Sequence, residues 1–140
     1  MSASDAYLAG FFDGEGCIAM RANNRCQTYR MTVDITSSCR AVLEQFQIRF
    51  GGSVHPVRRF VNKPLFQWQL NGRAAILVFL RAIRPFAIEK LPQVEAALQW
   101  QESQPLLQQT GPRNRPTPEY DRAAAEQCCA RLRELKRAIS

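Results

Sequence analysis

The sequence predicts an α+β domain with the element order helix, hairpin, helix, hairpin, helix (αββαββα), in which four antiparallel strands form one sheet with helices on one face. Three observations carry this. Two segments, Cys17 to Thr36 and Ser53 to Asn71, alternate apolar and polar residues, and each breaks once at a turn, Asn23-Asn24-Arg25 in the first and Asn62-Lys63-Pro64 in the second. Around them lie segments whose apolar residues recur at helical spacing. At 140 residues and 46% apolar content, the chain is long enough for one domain with a real core and too short for two ordinary ones.

The first helix is capped by Ser4 or Asp5 and runs to Phe12 or Asp13, with Gly14 and Gly16 as the permissive backbone on which it ends. Ala6 and Gly10 lie four apart on one face with Ala9 beside them, so a second helix can approach closely there. Leu8, Phe11 and Phe12 offer apolar bulk to a core. Asp13 and Glu15 fall at the negative end of the helix dipole, where a carboxylate is disfavoured unless a cation is near; that placement suits metal-holding acids.

In the first hairpin Ile18 and Met20, then Tyr29, Met31, Val33 and Ile35, share the apolar face. Ser37 or Ser38 then caps a helix through Phe50, stopped by Gly51-Gly52, with Val42, Leu43, Phe46 and Phe50 facing inward. In the second hairpin Phe66, Trp68 and Leu70 point inward on the return strand. Pro56 interrupts the outgoing strand, which places Val54 inward and His55, Val57 and Arg59 outward. Arg73 to Ile83 reads as an apolar helix, and another runs from Leu91 or Pro92 to Gln101 with Val94, Ala97, Leu98 and Trp100 available for burial. These elements define a core over residues 1–103. Residues 104–118, with four prolines, read as a loop or linker, and 119–140 as a last helix with Leu132, Leu135 and Ile139 as a thin apolar stripe.

Composition narrows the function classes. No apolar run is long enough for a membrane span and the N-terminus lacks a basic-then-apolar signal segment, which leads to the expectation of an intracellular protein of cytoplasm, organelle matrix or nucleoid, with no membrane partner. Five cysteines without a C-x-x-C pair, and one histidine, support neither a zinc site nor a disulfide framework nor a Ser-His-Asp triad. The net charge of +7 is unevenly spread: residues 1–16 hold three acids and no base, whereas residues 17–64 hold eight bases against Asp34 and Glu44. A basic region beside an acidic motif suits an anionic polymer whose phosphates the acids face through a cation. The outward strand positions Arg21, Asn23, Thr28, Arg30, Thr32, Asp34, His55, Arg59, Gln67 and Gln69 form a base-reading inventory: Arg suits guanine, Asn and Gln suit adenine, and Asp accepts from cytosine.

Leu8-Ala9-Gly10-Phe11-Phe12-Asp13-Gly14-Glu15-Gly16 resembles the signature of the LAGLIDADG homing endonucleases, matching at Leu8, Ala9, Gly10, Asp13 and Gly16, and the element order with Gly51-Gly52 and Pro85-Phe86 extends the likeness over roughly residues 5–102. The resemblance implies a saddle-shaped sheet lying along double-stranded DNA. It implies that Glu15, with the backbone of Gly14, binds the catalytic divalent metal, Mg2+ or also Mn2+, with Ca2+ supporting binding without efficient cutting. By the same resemblance Asp13 is structural at the helix ends, Lys90 is the basic residue near the scissile phosphate, and Ser37 stands where a polar residue usually follows strand two. A single motif implies a homodimer packed through the Ala6 and Gly10 face of the motif helix, cutting both strands of a pseudo-palindromic site with a stagger. The rival readings are a non-catalytic DNA-binding regulator and an RNA maturase assisting intron splicing.

Overall fold

The computed structural model describes residues 3–23, 28–57, 63–103 and 122–139. In chain order the elements are α1 (Asp5–Glu15), β1 (Gly16–Asn23), β2 (Thr28–Ser37), α2 (Arg40–Phe50), β3 (Ser53–Val57), β4 (Leu65–Leu70), α3 (Arg73–Ile83), α4 (Leu91–Ser103) and α5 (Arg122–Ile139). The strands form one antiparallel sheet in the order β1-β2-β4-β3, so the predicted α+β architecture is the one observed.

Period-two alternation decides which side of each strand is buried. Ile18, Met20, Met31, Val33, Ile35, Trp68 and Leu70 are all nearly inaccessible and form the inner face, under the helices. An aromatic cluster joins the layers. The Phe79 ring of α3 meets Phe12 of α1 at 4.9 Å, Phe50 of α2 at 4.9 Å and Trp68 of β4 at 5.5 Å, the first two edge to face. Such pairs contribute about 0.5–1.5 kcal/mol each beyond their buried area. Trp68 also donates its Nε1 proton to the Gly51 carbonyl at 2.8 Å, fixing the end of α2 over the sheet. Gly51 and Gly52 both hold positive φ, and a Cβ on Gly52 would lie 2.5 Å from the Gln69 carbonyl oxygen, so glycine is required where α2 turns into β3.

Several expectations are corrected in detail. α1 does not stop at Gly14 but continues through Glu15, and its cap Gly16 enters β1 in an extended conformation without positive φ. Gly16 is needed for space instead: a Cβ there would lie 2.0 Å from the Phe12 ring. Ala9, grouped with Ala6 and Gly10 in the sequence, is buried with Leu8 and Phe12, while Ala6, Tyr7, Gly10 and Gly14 are exposed. Ser37 belongs to β2, where pairing with Phe66 of β4 prolongs the strand, and Cys39 takes the cap position of α2. Ser4 does cap α1, its hydroxyl accepting the Tyr7 N–H.

α5 packs against α4 and β1 and joins the same apolar cluster, but through Ala125, Cys129 and Leu132, with Leu135 only partly buried. Residues 104–118 and the start predicted for the last helix at Glu119 lie outside the described residues, and Ile139 outside the described side chains. Gln93 and Gln101 of α4 are also buried, unforeseen in the sequence; Gln101 directs its amide nitrogen at the Met31 sulfur. Burial pushes the Cys128 thiol up to about 11, so it stays protonated in the seam between α5 and α4. No described helix is long and apolar enough to cross a membrane.

Candidate active site and nucleic-acid interface

The carboxyl end of α1 is tied to the amino end of α4 by one side chain. The Asp13 carboxylate accepts the backbone N–H groups of Ile88 at 3.2 Å, Glu89 at 2.8 Å and Lys90 at 2.7 Å, donors that open the way into α4. An anion at that place satisfies orphan amides and the positive end of the α4 dipole together. Lys90 answers in the other direction, its Nζ donating to the Asp13 main-chain carbonyl at 2.7 Å. A cation thus meets the negative end of α1 where the sequence alone shows only acids.

Asp13 is therefore consumed by the fold, and Glu15 is not. Glu15 is the last residue of α1, exposed, with exposed Gly14 before it and β1 directly after. Among the described residues no three His, Cys, Asp or Glu side chains gather as a metal cluster. The donors that α1 does present are the Glu15 carboxylate and the Gly14 carbonyl, hard oxygen ligands that fit Mg2+ or Ca2+ chemistry but fall short of six, so a second chain, phosphate or water has to complete the shell.

β1 carries the chain from Glu15 onto the outward sheet face. Register aligns Cys17, Asp34, Gln69 and Ser53 as an outward row across all four strands. On one side of it follow Ala19 with Thr32, Arg21 with Arg30, and Asn23 with Thr28; on the other follow Thr36, Gln67 and His55, then Leu65 with Val57. The predicted outward residues therefore share one face, as placed by register. Asn23 and Thr28 are described in backbone only, and Arg59 lies outside the described residues. His55 Nε2 and Gln67 Oε1 are 3.1 Å apart, so these two hold each other. Arg21 and Arg30 stand directly opposite and exposed, an arrangement that costs free energy unless an anion joins them. Asp34 is half-buried; desolvation holds its carboxyl above the ordinary value, against the pull of Lys136 and Arg21.

Ser37 does not share this face. It alternates with outward Thr36 and pairs with inward Phe66, and its hydroxyl accepts the Cys39 N–H at 3.1 Å. Lys136 was absent from the sequence inventory, yet its Nζ lies 3.5 Å from the sulfur of outward Cys17. Its position four residues beyond Leu132 was the available signal.

The family model described as LAGLIDADG-like domain matches residues 2–81, more than half the chain, and the protein belongs to that family. Its fold is that of the LAGLIDADG homing endonucleases. It superposes on the homing endonuclease I-CvuI, solved in complex with the I-CreI target, with a TM-score of 0.68 at 18% identity, covering 97% of this chain and 81% of that one. It also superposes on the LAGLIDADG meganuclease I-AabMI bound to uncleaved DNA, with a TM-score of 0.60 at 18% identity, covering 71% of this chain and 36% of that one. For I-SmaMI bound to cleaved DNA the values are 0.58 and 18%, covering 72% and 36%. A search of the curated proteins gave no match.

Proposed function

We propose that the chain is one subunit of a homodimeric, divalent-metal-dependent endonuclease that cuts both strands of a roughly palindromic DNA site with a stagger. The observation that carries this reading is the exposed Glu15 carboxylate at the margin of an outward sheet face on which Arg21 opposes Arg30. From the Asn23 and Thr28 row to the Leu65 and Val57 row, the face extends about 34 Å at strand rise, roughly one turn of B-DNA. Two copies related by a two-fold axis span two such half-sites. Exposed Ala6 and Gly10 leave α1 open to close approach by another helix, and Ile88, 83% exposed and held beside the end of α1 through Asp13, adds apolar surface there.

In this reading Glu15 and the Gly14 carbonyl hold the metal, and pairing two chains brings two Glu15 carboxylates together, a repulsion that a cation offsets. When bound, such an ion activates water and neutralises charge on the phosphate. Lys90, fixed on the Asp13 carbonyl, adds a positive charge at the same helix end, and Asp13 keeps Lys90 there by holding its backbone N–H. The outward rows supply the donors and acceptors that meet base edges.

The test is incubation of the full chain with a plasmid library carrying random inserts, in Mg2+, Mn2+ or Ca2+, followed by sequencing of cut ends. Offset cuts on both strands in Mg2+ or Mn2+ are expected, with retention but little cutting in Ca2+. Sequence-selective retention without cutting in every ion identifies a regulator instead, and capture of intron RNA with no duplex selected identifies a maturase.

A further inference from the structure

α5 docks through a stripe that repeats at helical spacing: Ala125, Cys129 and Leu132, each at most 5% exposed, with the Cys129 sulfur directed at the Met20 carbonyl at 3.5 Å. Four residues beyond Leu132 the same stripe reaches Lys136. This side chain is half-buried rather than projected into solvent, and its Nζ sits 3.5 Å from Cys17 Sγ. Cys17 is outward on β1 and directly opposite Asp34 on β2. A helix that closes one flank of the core thus ends with an ammonium group on the outward face. It does so in the row that follows the Gly16 and Ile35 pair, next along the chain from Glu15.

That row has an unusual occupant for a face that meets a polyanion. Asp34 lies at its centre, between Cys17 on one side and Gln69 on the other. A carboxylate turned towards phosphates is repelled unless it gains a donor from a base edge and a cation beside it. Lys136 reaches Cys17 directly opposite Asp34, and Arg21 is exposed on the same face; both pull the carboxyl down against the stronger upward push of its burial. A carboxylate has two oxygens with about four acceptor positions, so a cation on one side leaves capacity on the other. The donor that matches a single outward carboxylate in the major groove is the N4 amino group of cytosine.

We propose that Asp34 reads a cytosine in each half-site, and that Lys136 of α5 is the positioning residue for that contact, so that the C-terminal helix takes part in sequence discrimination. The inference rests on the DNA-binding reading above and adds to it an element outside the paired hairpins. Lys136, seated on Cys17 directly opposite Asp34, offsets the repulsion of that carboxylate from phosphate without itself contacting the nucleic acid. Discrimination at this one position then depends on α5, while general affinity does not.

The experiment is selection of bound duplexes from a random library in Ca2+, which reads binding and not cutting, with the wild-type chain, Asp34→Asn, Lys136→Met, Lys136→Gln and Lys136→Arg. Each protein is admitted on an unchanged near-ultraviolet circular dichroism spectrum. Asp34→Asn is expected to lose cytosine preference at one position per half-site by about tenfold or more. Lys136→Met and Lys136→Gln flatten preference at that same position only, with the slope of affinity against salt unchanged, and Lys136→Arg retains it. Weakening of all sequences alike, with a salt slope smaller by about one, makes Lys136 a phosphate anchor and overturns the proposal. An unaltered profile in the Lys136→Met and Lys136→Gln proteins, or cytosine preference surviving in Asp34→Asn, also overturns it. If the wild-type chain selects no duplex at all, the DNA-binding reading itself falls, and this inference with it.

Discussion

Asp13 and Glu15 stand two residues apart at the end of one helix, in opposite circumstances. The Asp13 carboxylate is enclosed by three backbone N–H groups of residues 88–90 and its carbonyl is met by Lys90, whereas Glu15 is exposed. Both carry the same charge at the same unfavourable end of a dipole. The difference is that the chain supplies its own counterpart for the first acid and none of the described hydrogen bonds engages the second. An acid satisfied internally belongs to the fold; an acid left open at the margin of a basic face is available to something that arrives later.

The comparison is most directly broken at Glu15. Glu15→Gln removes the charge at nearly constant volume, so cleavage should fall by on the order of 10³-fold or more, several kcal/mol of transition-state stabilisation. Its urea midpoint and its DNA retention in Ca2+ should stay at wild-type values. Wild-type cutting by this variant would take Glu15 out of the site.

A smaller effect of another kind is expected at Asp13. Asp13→Ala leaves the amides leading into α4 without their acceptor and should lower folding stability by about 2 kcal/mol in urea denaturation, with Asp13→Asn recovering part of the loss because an amide oxygen also caps. A variant as stable as wild type would erase the distinction between the two acids. The smallest effect, of opposite sign, is expected on the open side of α1. Nothing lies within 4 Å of a Cβ built on Gly10, so Gly10→Ala should stabilise the isolated chain by roughly 0.5–1 kcal/mol through helix propensity. Sedimentation should show weaker self-association at the same time; unaltered association would move the partner surface away from Gly10.

What was legible in the sequence follows the range of the forces involved. Strand phase was readable because alternation is local and one face is buried, and α3 was readable as Arg73–Ile83 because its apolar residues leave no other period. The end of α1 was not: the Gly16 N–H still bonds the Phe12 carbonyl, and the side chain that meets the Asp13 carbonyl comes from Lys90, far along the chain. The cap of α2 was misplaced for the same reason: Phe66 holds Ser37 in the sheet. Leu132, Leu135 and Ile139 mark the stripe of α5 in the sequence, but a helix that packs against α4 and β1 also uses alanine and cysteine, whose small size carries little apolar signal. The outward rows could be read from period alone, whereas the place of Lys136 beside Cys17 required knowing which side of α5 is buried.

The strand order β1-β2-β4-β3 puts β1 and β3 at the two margins of the sheet. Bare strand margins are where like chains add to one another and grow into fibres. Neither margin is inviting here. α5 lies along β1, with the Cys129 thiol on the Met20 carbonyl, and β3 is five residues long with Pro56 in it, which has no N–H to offer a newcomer. A strand that approaches β3 meets one N–H fewer at Pro56, and one that approaches β1 meets α5 already in place. The proline that makes β3 hard to read as a strand thus also removes a donor from the sheet margin.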